Sequence, residues 1–406
     1  MERSSPISRL RNALFDELEQ RMLPYWVENS VDEENGGFLG RIRRNGEPVR
    51  DAPKGSVLNS RILWTFAAAH RRLEDNRFRE LAARARAYLV EQFWDPAHGG
   101  VFWSVDSRGQ PLETRKQTYA QAFALYGLAE YHRATGNRDA LDQAVRLFEL
   151  VETRTMEPEH GGYLEALGQS WERIEDVRLS DKDLNAPKNM NTHLHVLEAY
   201  TNLFRTWPDP LLREKLASLI GLFLEKIIDT DKDHLHTFFD MDWTPVTDVI
   251  SFGHDIEASW LLLEAVDVLG DTALRDEVRD AAVALATATL KEGIDPDGGM
   301  VNEARPDGDS DGDKYWWVQA EAIVGFVNAY QETRSPEFVE AAVAIWEYAR
   351  RYLADDDFGE WHFRVAQDGR PYPDDDKVGM WKCPYHGARA CFEVIERAAR
   401  MEQVRT

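Results

Sequence analysis

Apolar residues recur at helical spacing along nearly the whole chain, in two kinds of run. Near the N-terminus Ile7, Leu10, Leu14, Leu18 and Met22 form one stripe, with charged residues between them. "RFRELAARARAYLVEQF", "PLLREKLASLIGLFLEKII" and "EFVEAAVAIWEYARRYL" are similar charged runs. The second kind is apolar almost all round: "LNSRILWTFAAAH", "YAQAFALYGLAEYH", "NTHLHVLEAYTNLF", "IEASWLLLEAVDVL", "YWWVQAEAIVGFVNAY" and "HGARACFEVIERAA". A striped helix wets one face, and a helix that is apolar all round is enclosed. The pattern predicts charged outer helices, each followed by an enclosed inner one.

A glycine phrase separates the two helices of a pair. It reads "ENGGFLG" (Gly36, Gly37), "AHGGVFW" (Gly99, Gly100), "EHGGYLE" (Gly161, Gly162), "PDGGMVNE" (Gly298, Gly299) and, more weakly, "DFGEWHF" (Gly359). "KDHLHTFFD", 232–240, keeps the aromatic tail without the glycines. With His234 as the anchor of that copy, the steps are 63, 62, 73, 64 and 61 residues. Six copies at a nearly constant period mean a repeat architecture, with a turn and short strand residues after each glycine pair. The expected fold is all-α: an (α/α)6 barrel, six inner helices ringed by six outer ones, with short β-hairpin-like loops at one end. No linker divides the chain, so residues 1–406 are expected to form one domain. The alternative is an open α-solenoid with a concave binding surface.

Composition narrows the function. A net charge of −24 argues against nucleic acid and anionic membranes as partners. Two cysteines, Cys383 and Cys391, do not make a disulfide scaffold and fit a reducing compartment. The charged N-terminus has no apolar leader core, and no run approaches the ~18 apolar residues of a membrane span, so a cytoplasmic protein is expected. Thirteen tryptophans are many for this length. Indoles fill cores and also stack on the apolar faces of sugars.

Polar and aromatic residues cluster where each inner helix begins: Asn59 and Arg61; Arg115 and Tyr119; Asn191, His193 and His195; His254 and Glu257; Trp316, Trp317 and Glu321; Trp381, His386 and Arg389. If the inner helices run the same way, these starts converge at one end of the barrel. Asn59, Asn191 and Asp255 equally fit helix caps, and one of His193 and His195 fits a structural histidine. His254 and Glu257, one turn apart, have a spacing that metal sites use, but the further Glu and His of such a site are missing, and no metal is expected. "DGDSDGDK", 307–314, imitates a calcium loop through Asp307, Asp309, Asp311 and Gly312. Its twelfth position is Val318, which cannot ligate, so it reads as an acidic turn. Phosphate-loop, dinucleotide and nucleophile-elbow motifs are absent, and no cofactor is expected.

"NTHLHVLEAY", "SFGHDIEASWLLLEA", "YWWVQAEA" and "KCPYHGARACFE", with "LNSRILWTFAAA" and "RKQTYAQAFALY", resemble the N-acylglucosamine 2-epimerase family along essentially the whole chain. Within it they are most similar to members that act on β-1,4-linked disaccharides such as cellobiose and lactose. The family fold is the (α/α)6 barrel, and its chemistry inverts C2 of a reducing sugar without a redox cofactor. The resemblance implies an oligosaccharide substrate and a monomer. It makes His254 and His386 the acid–base pair, Glu257 their supporting carboxylate and Arg61 the stabilising cation. It gives Tyr119, Asp183, Asn191, His195, Trp260, Trp316, Trp317, Glu321 and Trp381 to the sugar. Cys383 stands where the family often has glycine. A monosaccharide epimerase or aldose–ketose isomerase, an α/α-barrel glycoside hydrolase with two flanking carboxylates, and a non-catalytic sugar-binding protein are the competing readings.

Overall fold

The computed structural model describes residues 5–305, 308 and 310–403. Its inner helices are Ser56–Leu73, Thr118–Thr135, Met190–Phe204, Phe252–Leu269, Trp316–Thr333 and Tyr385–Gln403. They alternate with outer helices Pro6–Glu17, Asn76–Tyr88, Arg138–Leu150, Pro210–Leu222, Thr272–Glu292 and Pro336–Tyr348. The two kinds differ as their patterns predict. Every residue from Ser56 to Ala69 is buried in the first inner helix. The neighbouring outer helix buries only Phe78, Ala82, Ala85 and Tyr88, a single stripe.

Each inner helix packs on the next, the sixth returns to the first, and the first outer helix packs on the sixth inner one. The ring is closed, an (α/α)6 barrel, and the open solenoid is excluded. A circle of very short strands sews the repeats together at the end where the inner helices begin. The two residues before an inner helix pair antiparallel with the strand that follows the next repeat's turn: Lys54–Gly55 with Ser104–Val105, Lys116–Gln117 with Ala166–Leu167, Lys188–Asn189 with Phe238–Phe239, Ile250–Ser251 with Glu303–Ala304, and Lys314–Tyr315 with Arg364–Val365. Ile42 bridges Val378 to complete the circle. All six inner helices therefore start at one end.

The pairing exposes a position that the hydrophobic pattern hides. Two residues ahead of the inner helix stands a buried lysine, and it reaches down to the acid of its own turn. Lys54 meets Asp32 at 2.7 Å, Lys116 meets Asp95 at 2.9 Å, Lys188 meets Glu157 at 3.2 Å, and Lys314 meets Asp295. In the sixth repeat the equivalent Lys382 meets Glu360 at 2.8 Å, and Lys377 takes the turn acid Asp355 at 2.7 Å. A buried charge is tolerated only when paired, so each lysine fastens a turn to the base of a helix. The fourth repeat has Ile250 in this slot.

The fourth turn also corrects the repeat's anchor. Asp233, not His234, occupies the first-glycine place: its N–H bonds to the Asp229 carbonyl as Gly36 does to Asp32 and Gly99 to Asp95. The chain must turn left-handed there, with φ of 78° at Gly36 and 57° at Asp233. Aspartate is among the few side chains that tolerate this region. Among the described residues no helix is long and apolar enough to cross a membrane.

Candidate active site

Counting from the slot residue, each inner helix repeats one allocation of side chains. The seventh residue on is Arg61, Phe123, His195, Glu257, Glu321 or Arg389. One cation-rich, carboxylate-rich layer is thus built from six helices in register. The fourth residue on is His254 in the fourth repeat and His386 in the sixth. The third is Tyr119, Asn191 or Trp317 in the second, third and fifth.

The fifth residue on has a different task. Gln121 accepts from the Val101 N–H at 2.8 Å and donates to its carbonyl at 2.9 Å, and Gln319 does the same for Met300 at 2.8 and 2.7 Å. His193 accepts from the Tyr163 N–H at 2.8 Å while its other nitrogen bonds the Asn189 carbonyl at 2.7 Å. Burial pushes this imidazole down to about 4, so it stays neutral. His193 is therefore the structural histidine and His195 the one in the layer. Asp255 is not a helix cap: it accepts from the Leu235 N–H at 2.9 Å and pairs with His234 at 2.8 Å. Neither asparagine caps. Asn59 donates to the Gly55 carbonyl at 2.9 Å, and the cap of the third inner helix is Asn189, which accepts from the Asn191 N–H.

Arg389 is the hub of the layer. Its guanidinium bonds Glu198, Glu257 and Tyr385, and reaches Glu321 at 2.7 Å. Glu321 also bonds His386 Nδ1 at 2.7 Å and accepts from Trp260 Nε1 at 3.1 Å. Glu198 bonds His195 Nδ1 at 2.9 Å. Arg61 lies over the Phe123 ring at 4.2 Å and donates to the Tyr119 hydroxyl at 2.7 Å. Cys383 is buried beside Arg61.

Both candidate acid–base histidines lie against Trp317, with ring centroids 4.8 Å away for His254 and 5.7 Å for His386. Gly253 makes this possible: a Cβ there would sit 2.4 Å from the indole. Trp316 packs on Phe363 at 4.8 Å, beneath Lys382, and stands edge-on to His386 with ring centroids 6.2 Å apart. Trp260 lies under the carboxylates, between Arg389 and Arg397. Trp381 stands toward Trp103 at 5.9 Å and Tyr119 at 6.1 Å. Asp183, on the loop before the third inner helix, accepts from the Ser180 N–H and hydroxyl at 2.8 and 3.0 Å.

Electrostatics sets the protonation states. Burial drives both histidines below the ordinary imidazole value; His195 adds to this at His254, and Arg61 and Arg389 add to it at His386. Both are neutral at pH 7, each with a lone pair on one nitrogen. Burial and the neighbouring Glu321 push Glu257 up to about 7 against the pull of Arg389. Burial would raise Glu198 too, but Arg389 and His195 outweigh it and hold it at about 2. Among the buried polar atoms at the third and seventh places, Glu257 Oε2, Asn191 Oδ1 and Arg61 Nε have no partner. Unmade hydrogen bonds on this scale cost stability, and a polyhydroxylated ligand would satisfy donors and acceptors together.

Glu257, Glu321 and His386 present ligand atoms within 4.8 Å of one another, a spacing that could hold a metal ion. The guanidinium nitrogen of Arg389 that bonds both carboxylates already supplies a cation there. Asp307 and Asp309 of the calcium-like segment lie outside the described residues. Val318 is buried in the fifth inner helix.

Residues 37–390 match the model of the N-acylglucosamine 2-epimerase (GlcNAc 2-epimerase) family. The chain belongs to the N-acylglucosamine 2-epimerase family. A cellobiose 2-epimerase of Bacteroides fragilis is 49% identical over 387 residues, 95% of this chain and 98% of that one. The structure of a cellobiose 2-epimerase from Bacillus thermoamylovorans B4167 superposes with a TM-score of 0.93 at 41% identity, covering 96% of this chain and all (100%) of the other. An α-mannanase of Bacteroides thetaiotaomicron shares the barrel alone, with a TM-score of 0.68 at 11% identity over 99% of this chain and 100% of the other. Within this epimerase family's fold, two members of the polar layer escaped the sequence reading of the site: Arg389 was seen only as part of a cluster, and Glu198 not at all. The signal that finds Arg389 is the seven-residue offset from the slot lysine. Glu198 follows one turn after His195.

Proposed function

We propose that the chain is a cofactor-independent 2-epimerase of the reducing-end glucose in β-1,4-linked disaccharides, converting cellobiose to glucosyl-mannose and lactose to epilactose. The observation that carries the reading is the pair of neutral imidazoles, His254 and His386, set against one tryptophan in a polar layer that keeps a few buried atoms without partners. The cellobiose 2-epimerases at 49% and 41% identity supply the substrate class.

The chemistry asks for what these residues can give. Once the pyranose opens, the aldehyde acidifies the C2 proton, and its removal leaves a cis-enediolate. A neutral imidazole is a competent base near pH 7. His386 faces Glu321 through Nδ1, so a carboxylate there keeps the proton on Nδ1 and the lone pair on Nε2. His254 is held through Nδ1 by the Ser251 hydroxyl at 2.7 Å, which accepts or donates with equal ease. One imidazole takes the C2 proton and becomes imidazolium; the other, charged by a proton taken up from solvent, returns that proton to the opposite face, and the first then releases its own to solvent; in the reverse direction they exchange roles. Arg61, permanently charged and fixed by Tyr119, stabilises the enediolate oxygens. Glu257 Oε2 and Asn191 Oδ1 accept from sugar hydroxyls, and Trp317 and Trp381 offer stacking faces. Return of the proton to C1 gives a ketose, a slower side reaction of the same intermediate. A hydrolase reading fits poorly: Glu257 and Glu321 share one guanidinium, which fills the space a glycosidic bond would need.

The test is product analysis by NMR after incubation with cellobiose, mannose and N-acetylmannosamine in parallel. Glucosyl-mannose from cellobiose supports the proposal. Turnover of a monosaccharide alone, or release of glucose, would replace it.

A further inference from the structure

Arg389 hydrogen-bonds neither His254 nor His386, yet more of the layer converges on it than on any other described side chain. It is about 1% exposed and bonds carboxylates from three different inner helices: Glu198 from the third, Glu257 from the fourth and Glu321 from the fifth. Its effect on Glu321 reaches His386. Glu321 is surrounded by donors: Arg389 Nη2 and His386 Nδ1 on Oε1, and Trp260 Nε1 on Oε2. Arginine and indole can only donate. A protonated Glu321 would have a single acceptor for its proton, His386 Nδ1. That would drive the imidazole into the other tautomer, with Nε2 protonated and the lone pair turned away from substrate.

We propose that Arg389 is a positioning residue: by holding Glu321 as a carboxylate, it fixes His386 in the Nδ1–H tautomer and keeps the Nε2 lone pair available for the C2 proton. The inference rests on the epimerase reading for the word substrate, but not for the tautomer itself. Burial raises Glu321, and Arg389 is the largest influence opposing that rise, which agrees with the geometry. The other charged or titratable groups around His386 do not replace it. Arg61 comes from the first inner helix, Tyr119 from the second, His195 from the third, and His254 and Glu257 from the fourth. Neither Arg61 nor His195 bonds Glu321. In the sequence, Arg389 takes the same place in the sixth repeat as Arg61 does in the first, seven residues past the slot lysine. One register thus supplies two cations, of which the first faces Tyr119 and the second supports the base.

The experiment compares the wild-type enzyme with Arg389→Met, which keeps bulk and loses charge, and Arg389→Lys, which keeps charge. The readouts are the nitrogen-15 shifts of His386 and the pH profile of kcat beside KM on cellobiose. Wild type is expected to show His386 neutral with the proton on Nδ1. Arg389→Met should shift the population toward Nε2–H and lower kcat about 100-fold, with KM changed less than about three-fold. The acid limb of its kcat profile should move up by about one pH unit or more as Glu321 takes up a proton. Arg389→Lys should retain the wild-type tautomer and recover at least about a tenth of kcat. A folded Arg389→Met with an unmoved tautomer and acid limb overturns the proposal. So does an Nε2–H tautomer in wild type, which needs no variant to fold. If the tautomer responds as stated while wild type leaves cellobiose unchanged, the functional reading fails and the positioning role stands.

Discussion

The second and fourth repeats solve the same structural problem with different residues. In the second, Lys116 reaches Asp95, glycines 99 and 100 make the left-handed turn, and Gln121 clamps the strand that follows. In the fourth, the lysine slot holds Ile250, Asp233 makes the turn, and the clamp is Asp255 with His234. The strand pairing and the helix start are nevertheless in register in both. The second repeat brings Tyr119 and Phe123 to the layer; the fourth brings His254 and Glu257. The difference teaches that fastening and chemistry occupy separate positions on the same helix. The fastening can be rebuilt from other residues without moving the third, fourth and seventh places that build the candidate site.

The largest effect should come from the chemical positions. Removing an acid–base imidazole costs about 10²- to 10⁴-fold, so His254→Ala and His386→Ala should each lose at least about 100-fold in kcat. Circular dichroism should remain that of wild type, because neither ring clamps a strand. Next come the fastening positions. Lys116→Met leaves Asp95 buried and unpaired, at a cost of about 3–5 kcal/mol, read by denaturant unfolding. The converse substitution sharpens the contrast: Ile250→Lys should also destabilise, because the fourth turn's acid, Asp229, is already taken by Lys232 and His236. Stability gained by Ile250→Lys would break the comparison.

A smaller effect is carried by Glu165, which sits between these two kinds of position. It accepts from the Thr192 hydroxyl at 2.9 Å, and burial with the nearby Asp183 raises it to about 8 from an ordinary 4.5. The folded chain therefore keeps a proton that the unfolded chain releases between those values. This contribution to stability is complete below about 4.5 and is lost as pH rises toward about 8. Glu165→Gln should flatten the melting temperature across that window and raise it at pH 8 relative to wild type. An unchanged slope would show that Glu165 is ionised when folded. The smallest effect belongs to Ser251→Ala, which frees His254 Nδ1 and should lower kcat by at most about ten-fold.

How much was legible in the sequence follows from the same separation. Outer helices announce themselves because one-sided burial over several turns imposes a 3.6-residue period, and inner ones because burial all round leaves a long apolar run. The short strands after the glycine turns were legible too, but not their pairing into a closing circle, since two-residue strands carry no register. The convergence of helix starts was legible as six polar clusters in register. Residue type does not distinguish His193 from His195, because two residues on a helix differ in direction and not in kind; only the family resemblance assigned His195 to the sugar. Arg389 was legible as a member of the sixth cluster but not as its hub, and Glu198 was not legible at all, because a charged residue inside an apolar run looks like a solvated edge until its partners on other helices are known.

The most direct test of the central claim follows hydrogen at C2. The enzyme, with His254→Ala and His386→Ala beside it, is incubated with cellobiose in D2O, and both sugar pools are read by proton NMR. Deprotonation by two imidazoles predicts deuterium at C2 of the epimer formed by wild type, and loss of epimerisation by at least about 100-fold in each variant, with C2 exchange left only in the epimer whose proton faces the remaining imidazole. Wild-type epimer that carries no solvent deuterium, or either variant turning over at the wild-type rate, would contradict it.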